Sequence, residues 1–255
     1  MQVINPRNFI HLHRHKIVFG LMILMAFPSI SQNDPSENLI DYDEQWIHYG
    51  FAMSWHSSRY KMRYSEEYAS LDSLHSVISE RTPGFKVGML ANMRLLQYLD
   101  VRAMVNVGFY ENKLLYRFTD GTSLEELKDQ TMVELPILLK YKSARRRNVA
   151  MYMIGGFTTA LEAAGRGDEI DTQSKIKLKN WNYAIEAGVG FDIYFELFKF
   201  SPEIRYSWGI RDMLTNEINE YNTPLERLSY QNFAFYITFE GGPTYLKRNK
   251  KLKRR

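Results

Sequence analysis

The chain of 255 residues contains no cysteine, which excludes a disulfide framework and catalysis by a thiol. Beyond residue 31 it has no run of eighteen apolar residues, so that part offers no candidate transmembrane helix. The spacings typical of a metal site, a phosphate-binding glycine loop or a nucleophile elbow are also missing. The sequence therefore predicts no catalytic, cofactor or metal site from motifs.

A negative net charge is missing from the chain as a whole but present in its middle. The formal net charge is +4 and the isoelectric point about 9.0, values that suggest a nucleic-acid partner at first sight. Three cations lie in residues 1–31 and seven in residues 247–255, and neither stretch contains an acid. Without these ten cations, +4 becomes −6 for the stretch between them, so we predict no nucleic-acid binding.

The N-terminus has the three parts of a secretory signal peptide. Residues 1–16 carry cations, an apolar run follows over residues 17–27, and the small residue Ser31 stands at the expected cleavage position. The apolar run is too short to span a membrane. We therefore predict that residues 1–31 are removed on export, that the mature chain begins at Gln32, and that residues 32–46 form a polar periplasmic segment.

The stretch Glu134–Ala160 is the clearest structural signal in the chain. Two arms of about ten residues alternate between apolar and mixed positions, and a short charged break at residues 143–148 separates them. A period of two indicates strands whose faces meet different surroundings, and this length suffices for a tilted strand to cross a membrane. Glu134 and Lys140 share a phase with small residues such as Gly156, which suits a narrow barrel interior better than an open surface.

Six further stretches alternate in the same way and bring the number of predicted strands to eight. They are Ile47–His56, Gly84–Arg94, Leu99–Phe109, Tyr183–Ile193, Phe200–Ile210 and Tyr230–Glu240. The spacing of Leu71, Leu74 and Ile78 permits a short helix between the first two of them. Pro202 predicts a strand end or a local irregularity, because proline cannot donate to the ladder.

The connections between these strands alternate in length. Long ones at residues 57–82, 111–130, 162–180 and 212–229 alternate with short ones at 95–98, 143–148 and 196–198. This rhythm predicts an all-β fold: an eight-stranded antiparallel transmembrane β-barrel over residues 47–240, with four long extracellular loops and three short periplasmic turns. Residues 241–255 then form a basic periplasmic tail, and the predicted location is the outer membrane of a Gram-negative cell. A lipocalin-like barrel would lack the continuous outward apolar band.

The inward face of the predicted barrel collects five cations and five anions. They are Lys86, Arg94, Arg102, Lys140, Arg205, Glu134, Glu186, Asp192, Glu203 and Glu240. Unpaired charge in a narrow lumen is costly, so we expect these groups to form a structural ion-pair network. A barrel of eight strands has room for little beyond its own side chains. An ion pathway or a proton site is the alternative.

The first strand offers an enzymatic alternative. His48, Ser54 and His56 share one face, and Ser57 and Ser58 follow at the outer rim, so a Ser–His pair could deacylate lipid A. No third orienting group is identifiable. We therefore predict that the protein is not an enzyme and has no catalytic residues, with a lipid A deacylase or a passive channel-like barrel as alternatives.

Charged segments outside the strands are open to two interpretations. The run Asp41-Tyr42-Asp43-Glu44 could ligate calcium, although it offers too few oxygens for a cage, so we predict no metal site. Basic side chains on the predicted periplasmic side could contact acidic partner proteins or anionic lipid, or could serve only as solubilising charge. These are Arg145, Arg146, Arg147, Lys250, Lys251 and Lys253.

An ordered series of short pieces along the chain carries a family resemblance. The pieces are Asn38-Leu39, Asp41-Tyr42-Asp43, Ile47-His48-Tyr49-Gly50-Phe51, Pro83-Gly84-Phe85, Glu134-Leu135-Pro136, Leu139-Lys140-Tyr141, Ile154-Gly155-Gly156, Glu186 to Asp192, and Phe198 to Glu203. In this series the chain resembles the PorT family, outer-membrane barrel proteins of Bacteroidetes associated with type IX protein secretion and gliding motility.

The resemblance implies a non-enzymatic component needed to export cargo proteins across the outer membrane. Its implied partners are other outer-membrane and periplasmic secretion components, together with outer-membrane lipid and lipopolysaccharide. The family supplies no catalytic residues and no cofactor. Because a lumen filled by side chains cannot conduct a folded protein, we expect an accessory role beside a larger pore.

Overall fold

The computed structural model describes residues 37–66, 68, 74–163, 178–215 and 224–241. The chain divides into two compact units, residues 1–37 and 38–255, and the architecture below concerns the second unit. The predicted signal peptide, most of the polar segment that follows it and the basic tail from residue 242 lie outside the described residues. None of the described residues forms a helix long and apolar enough to cross a membrane.

The described residues form one antiparallel sheet, which confirms the all-β prediction. Its strands are β1 Ile47–Tyr64, β2 Leu74–Glu80, β3 Thr82–Leu96, β4 Leu99–Phe118, β5 Ser123–Lys142, β6 Val149–Glu162, β7 Trp181–Tyr194, β8 Lys199–Gly209 and β9 Leu225–Gly241. Strand β1 pairs with β3 on one side and with β9 on the other, and β4 pairs with β5. The hydrogen-bonded sheet is therefore closed, and a closed sheet has no exposed edge to satisfy in lipid.

The ring has eight positions although nine strands are present. Strand β2 pairs with Lys113–Phe118 of β4, and β3 pairs with the earlier part of the same strand. Only Arg81 separates β2 from β3. The register on β4 shifts by one residue there, from Glu80↔Lys113 to Phe85↔Phe109. Strands β2 and β3 are thus one barrel position interrupted at Arg81, and the predicted eight-stranded barrel is confirmed.

Lipid-facing residues alternate with interior residues along each strand, as the sequence pattern predicts. Met89, Ile137 and Met153 are among the most exposed outward side chains, at 76%, 63% and 64%. Together the outward side chains form an apolar band around the barrel. We define this apolar band by Phe51, Met53, Trp55, Val87, Met89, Val105, Ile137, Leu139, Met153, Phe157, Ile185, Val189, Ile204, Trp208 and Phe235.

The strands are longer than predicted, and three predicted loops, at residues 57–82, 111–130 and 212–229, are partly wrong. Strand β1 continues to Tyr64, β4 to Phe118, and β5 begins already at Ser123. The predicted strands end where outward apolar residues end. The chain continues as sheet above that level because its alternation persists with the opposite sense: polar outward and apolar inward. The sheet thus projects beyond the apolar band at the end of the barrel that carries the long loops, which we call the loop end.

The short helix that the spacing of Leu71, Leu74 and Ile78 permits does not form at residues 74–80. Leu74 to Glu80 is a strand whose Val77 and Ile78 lie opposite Tyr116 and Leu115 of β4. β-Branched residues favour a pleated surface, and here the outer edge of β4 supplies the partner that a local spacing rule does not consider.

Two prolines interrupt ladders as expected from their missing amide hydrogen. Between β7 and β8 the pairs run to Gly190↔Glu203 and resume at Ile193↔Phe200, so the ladder omits Pro202. Between β4 and β5 they run to Ala103↔Ile137 and resume at Asn106↔Glu134, which omits Pro136. Both prolines stay paired on their other side, opposite Ile237 and Thr158 respectively.

Candidate functional site: the charged lumen and the closed turn end

Paired charges occupy much of the barrel interior at the level of the apolar band, beside a small apolar cluster that includes Leu90, Leu138 and Ile154. Ten ionisable side chains from β3, β4, β5, β7, β8 and β9 are all nearly or completely buried there. They are Lys86, Arg102, Glu134, Lys140, Glu186, Asp192, Lys199, Glu203, Arg205 and Glu240. Nine of them are among the ten predicted from the inward phase. We call this group the lumenal network.

One member of the predicted set lies elsewhere, and one member was missed. Arg94 is only half-buried and donates from a guanidinium nitrogen to the carbonyl of Asp43, 2.8 Å away. Lys199 takes the remaining position in the lumen. Lys199 shares the phase of Ser201, Glu203 and Arg205, so extending the alternation by one residue beyond the predicted strand start would have found it.

The network begins near the short turns, around Asp192. Both carboxylate oxygens of Asp192 accept from Lys140 Nζ at 2.7 Å, and one of them also accepts from the Ser201 hydroxyl at 2.6 Å. Lys199 Nζ lies 3.9 Å from the same carboxylate and 2.9 Å from Glu240. Two lysines from different strands therefore meet Asp192, and one of them connects it to Glu240.

Arg102 connects the next two carboxylates. One of its terminal nitrogens lies 2.8 Å from Glu240 and the other 3.0 Å from Glu203. The planar guanidinium holds two carboxylates in a fixed relative geometry, whereas the ammonium group of a lysine is a point charge without that directional constraint. Glu203 also accepts from the Tyr152 hydroxyl at 2.7 Å and pairs with Arg205.

Arg205 carries the network towards the loop end. It lies 3.1 Å from Glu186, which in turn accepts from the Ser207 hydroxyl at 3.0 Å. Four cations and four anions thus form one continuous chain from Lys140 to Glu186. The remaining pair, Lys86 and Glu134, lies 2.8 Å apart.

Aromatic rings fill the space beside the charges. Lys140 Nζ lies 3.8 Å from the centre of the Tyr152 ring, and the guanidinium carbon of Arg205 lies 4.1 Å from that of Tyr236. Gly190 leaves the space that Tyr152 occupies, because a Cβ at that position would lie 2.6 Å from the phenolic oxygen. Charges and rings together leave no continuous channel at this level.

A small cavity of about 20 Å³ lies above the network, bordered by Lys86, Glu134 and Glu186 below and by Met213 and Tyr230 above. A volume of this order holds about one water molecule. The cavity also has polar lining atoms that make no hydrogen bond to the described residues: Gln130 Nε2, Thr158 Oγ1, Asn182 Oδ1 and Asn232 Oδ1. A water molecule would satisfy such atoms, but a peptide segment could not pass.

Above the cavity the interior becomes apolar. A cluster of buried side chains from the projecting strands and from the inner parts of two long loops fills this region, which we call the loop-end core. It consists of Tyr60, Val77, Tyr110, Leu114, Tyr116, Met132, Ala160, Leu178, Met213, Leu214, Leu225, Leu228 and Tyr230. Leu178 and Leu214 form an isolated β-bridge there, which continues the pairing of β7 with β8 beyond Gly209.

The opposite end, which carries the short turns and which we call the turn end, is closed by residues 38–45. Leu39 and Tyr42 are buried together with Ala150 and Tyr194 of the barrel. The Tyr42 ring stacks on His48 with 4.0 Å between ring centres, and Lys199 Nζ lies 5.1 Å from its centre. The segment preceding β1 thus reaches the first members of the lumenal network.

Polar contacts fix this segment on the barrel. Arg145 donates to the carbonyls of Asn38 and Leu39, and its guanidinium lies 3.8 Å from the centre of the Tyr194 ring. The backbone amide of Asn38 donates to the side-chain oxygen of Asn148 at 2.9 Å.

Asp43 is a second anchor. Its carboxylate accepts from the Tyr194 hydroxyl at 3.0 Å and lies 3.7 Å from Lys142, which also pairs with Asp100 at 2.8 Å. The Asp41–Glu44 run considered as a calcium site therefore uses Asp43 in contacts to cations. Among the described residues, no group of three or more acidic, histidine or cysteine side chains is arranged to hold a metal ion.

The three arginines of the β5–β6 turn have different surroundings. Arg145 faces the docked segment, with 15% of its side chain exposed, whereas Arg146 and Arg147 are exposed. Lys250, Lys251 and Lys253 lie outside the described residues.

Of the residues considered for catalysis, His48, Ser54 and His56 lie on one face of β1 as expected, and only Ser57 lies on the other face. Ser54, His56 and Ser58 face the interior and are buried, while Ser57 faces outward. The His56 ring lies 4.3 Å from that of Tyr110, and the Ser58 hydroxyl lies 3.4 Å from Thr82 and Asn112 oxygens. His56 and Ser57 therefore cannot approach the same substrate from one side of the sheet.

Comparison with known proteins agrees with this architecture. The family model described as "Outer membrane protein beta-barrel domain" matches residues 30–215. The chain belongs to this family. The protein is accordingly an antiparallel barrel of the outer membrane. None of the curated proteins matches the chain in sequence.

Solved structures with a similar course of the chain are outer-membrane barrels of low sequence identity. OprG of Pseudomonas aeruginosa is 14% identical to this chain, and the alignment covers 76% of this chain and 93% of OprG, with a TM-score of 0.45. The Yersinia pestis attachment invasion locus protein Ail, in complex with the heparin analogue sucrose octasulfate, is 11% identical, covering 77% and 99%, with a TM-score of 0.35. The Escherichia coli outer membrane protease OmpT is 8% identical, covering 77% and 95%, with a TM-score of 0.41.

Proposed function

We propose that this protein is a non-enzymatic accessory component of type IX protein secretion and that it meets other secretion components at its turn end. The proposal rests on the PorT resemblance together with one observation. The sequence pieces that carry the resemblance lie far apart in the chain, yet several of them meet around the segment that closes the turn end.

The contacts of that segment and of the lumenal network next to it make the convergence specific. Tyr42, from one of the first pieces, stacks on His48 from the next. Lys140 comes from a later piece and pairs at 2.7 Å with Asp192, which belongs to the piece after β6. Ser201, from the last piece, donates to the same Asp192 carboxylate at 2.6 Å. A shared set of residues at one end of a barrel supports a shared role for that end.

The filled interior supports an accessory role. The lumenal network, the loop-end core and residues 38–45 occupy the barrel from end to end within the described residues. Cargo would therefore cross the membrane through another protein, and this barrel would act through its surfaces. In outer-membrane barrels the short turns face the periplasm, where the export machinery receives its cargo.

The exposed arginines beside the docked segment are our candidate contact residues. Arg146 and Arg147 protrude from the β5–β6 turn, next to Arg145, which faces the segment. An acidic surface of a periplasmic or outer-membrane partner would complement them. Lys250, Lys251 and Lys253 of the basic tail are further candidates from the sequence and lie outside the described residues.

Deletion of the protein in its native host tests the proposal. We expect cargo proteins to accumulate in the periplasm while the acylation pattern of lipid A stays unchanged, as read by fractionation and by mass spectrometry of lipid A. Normal export of cargo in the deletion strain would overturn the secretion role. Altered lipid A acylation would favour the enzymatic alternative instead.

Charge reversal at the turn end tests the proposed contact face. Arg146→Glu with Arg147→Glu should reduce both cargo export and the recovery of partner proteins in co-purification from solubilised outer membranes. Arg117→Glu, at an exposed outward position near the loop end, is the matched control and should leave both unchanged. Unchanged export in the double variant would mean that these arginines only solubilise the turn.

Two further variants separate the proposal from its rivals. His56→Ala and Ser57→Ala should each leave export intact, because the proposal assigns them no chemistry. Loss of function from either one in a folded barrel would support catalysis. A passive channel would show steady conductance in planar bilayers that responds to replacement of lumenal charges, and we expect none above the background of an empty bilayer.

A further inference from the structure

The outer surface of β1 and β9 changes character abruptly above the apolar band. Along β1 the outward positions after Trp55 are Ser57, Arg59, Lys61 and Arg63. The outward positions of β9 at this level include Arg227, which lies directly opposite Arg63. Between Ser57 and Tyr64, and between Leu225 and Asn232, the single acid among four cations is Glu226.

This surplus of positive charge on the outer surface of β1 and β9 is unfavourable for the pairing of the two strands. Like charges directly opposite on neighbouring strands are unfavourable. Glu226 lies 3.0 Å from Arg63, so it compensates one cation, and both side chains are more than half exposed. For Lys61, Arg227 and Arg59 the described residues provide no ion-pair partner. Arg59 is held by the neutral Gln231 amide, whose oxygen accepts from two of its nitrogens at 3.2 and 3.1 Å.

The projecting part of β4 and β5 is built differently. Lys113 lies 2.9 Å from Glu125 and 3.4 Å from Glu80, so its charge is compensated by neighbouring strands. The hydrogen bond to Glu125 and the nearby carboxylates raise the pKa of Lys113. The same height on the barrel therefore carries paired charges on the β4–β5 side and excess positive charge on the β1–β9 side.

The basic surface borders a groove at the point where β8 ends. Strand β8 stops at Gly209 while β9 continues, and the last pair is Trp208↔Gln231. The groove has a volume of about 290 Å³ and is lined by Lys61, Arg63, Trp208, Arg227, Ser229 and Gln231. It thus combines three cations, two neutral hydrogen-bonding groups and one indole ring.

The position of the groove points to a lipid rather than a soluble ligand. Trp208 belongs to the apolar band, and tryptophan is favoured at the boundary between hydrocarbon and headgroups. Lys61 lies six residues beyond Trp55, about 20 Å along the strand, which is roughly 15 Å of height for a strand tilted by 35–45°. The cations therefore lie in and just above the headgroup layer of the outer leaflet.

We propose that this groove binds the phosphorylated saccharide headgroup of an outer-leaflet glycolipid. Its phosphates would meet Lys61, Arg63 and Arg227, since cations at the headgroup level attract anionic lipid. A sugar ring would stack on the Trp208 indole and hydrogen-bond to Gln231 and Ser229, while its acyl chains would lie against the apolar band below. The inference is independent of the role in secretion.

Binding of a defined glycolipid by the full-length barrel tests this inference. The barrel is purified in a neutral detergent and titrated with diphosphorylated lipid A, and bound lipid is counted by native mass spectrometry. Lys61→Gln with Arg227→Gln should weaken binding roughly 25-fold, since each cation near an anionic surface contributes about a factor of five. Lys113→Gln with Arg117→Gln removes the same charge from the β4–β5 side and should leave binding unchanged.

The remaining arms distinguish the source of the phosphate. Lipid A without phosphate groups should bind as weakly as the Lys61/Arg227 double variant, and millimolar inorganic phosphate should not displace lipid A. Equal binding by the wild-type protein and that variant would overturn the proposal, provided that both show the heat-modifiable migration of a folded barrel. An equal loss in the control variant, or displacement by inorganic phosphate, would also overturn it.

Discussion

The two levels of the barrel interior differ in composition on the same strands. The lumenal network dominates at the level of the apolar band, beside a small apolar cluster that includes Leu90, Leu138 and Ile154, whereas the loop-end core is mainly apolar. On β1 the interior residues at the level of the apolar band are polar or small, such as His48, Ala52 and Ser54, and the outward ones are Phe51, Met53 and Trp55. Farther along the same strand the interior residue is Tyr60 and the outward ones are Arg59 and Lys61. The alternation never breaks, yet its sense inverts.

The difference follows from the solvent on the outside. Within the bilayer the outward face is in hydrocarbon, so polar side chains are left to the lumen, where burial obliges them to pair. Above the bilayer the outward face is in water, so apolar side chains move inside and form the loop-end core. One strand therefore contributes to two cores of different physics, and the inversion marks the upper limit of the apolar band.

The largest expected effect is the loss of one partner from the lumenal network. Glu203→Gln leaves Arg102 and Arg205 with one carboxylate fewer, and we expect destabilisation by about 3–5 kcal/mol. Urea unfolding followed by loss of the compact electrophoretic band measures it. The double variant Glu203→Gln with Arg205→Gln should recover part of the loss, but not all, because Glu186 then lacks its cation. Small and equal effects of both variants would mean that this part of the lumenal network contributes little to the free energy of unfolding.

The loop-end core should respond as an ordinary apolar core. Leu228 is fully buried there, and Leu228→Ala should cost about 2–3 kcal/mol through lost burial and the cavity left behind. Proteolysis on intact cells should then cut first at the loop end, while the barrel within the membrane stays folded. Simultaneous loss of the whole barrel would show that the two levels unfold as one unit.

A matched pair of arginine substitutions tests the boundary itself. Met89→Arg introduces a charge into the apolar band and should destabilise the barrel by about 2–4 kcal/mol. Leu127→Arg introduces the same charge at an outward position of similar prominence on the projecting part of β5. There it should change the unfolding free energy by less than about 0.5 kcal/mol, because water surrounds it. Similar destabilisation by the two substitutions would mean that the upper limit of the apolar band does not lie between Met89 and Leu127.

The smallest effect concerns the β4–β5 turn and pH. Asp120 accepts from the Thr122 hydroxyl at 2.6 Å and from its amide at 2.8 Å, and these bonds lower the pKa of Asp120 below 3.8. The carboxylate therefore stabilises the turn above its unfolded-state pKa, and that stabilisation is lost as the pH falls through the folded-state value. Hydrogen-exchange protection of Thr122, corrected for the intrinsic pH dependence, should decrease on acidification. The Asp120→Asn variant should not show this decrease.

Much of the charged interior could be predicted from alternation alone. Nine of the ten lumenal network residues lie on predicted strands in the inward phase, because a period of two assigns every second residue to one face. Lys199 was missed by one position, since strand ends are the least certain part of a pattern. The partners of each charge could not be predicted: Arg102 of β4 meets Glu203 of β8 and Glu240 of β9 across the lumen, and closure of the ring decides that.

The sequence by itself determined the strands within the membrane, since hydrocarbon on one face and a polar lumen on the other leave a periodic mark on each strand. Only the tertiary structure decided what lies beyond them. The strand at Val77 depends on the edge of β4, and the docking of Tyr42 depends on His48 and Tyr194. The groove at Trp208 exists because β9 extends farther than β8 at the loop end. In each case the partner is distant in sequence, so no local pattern records it.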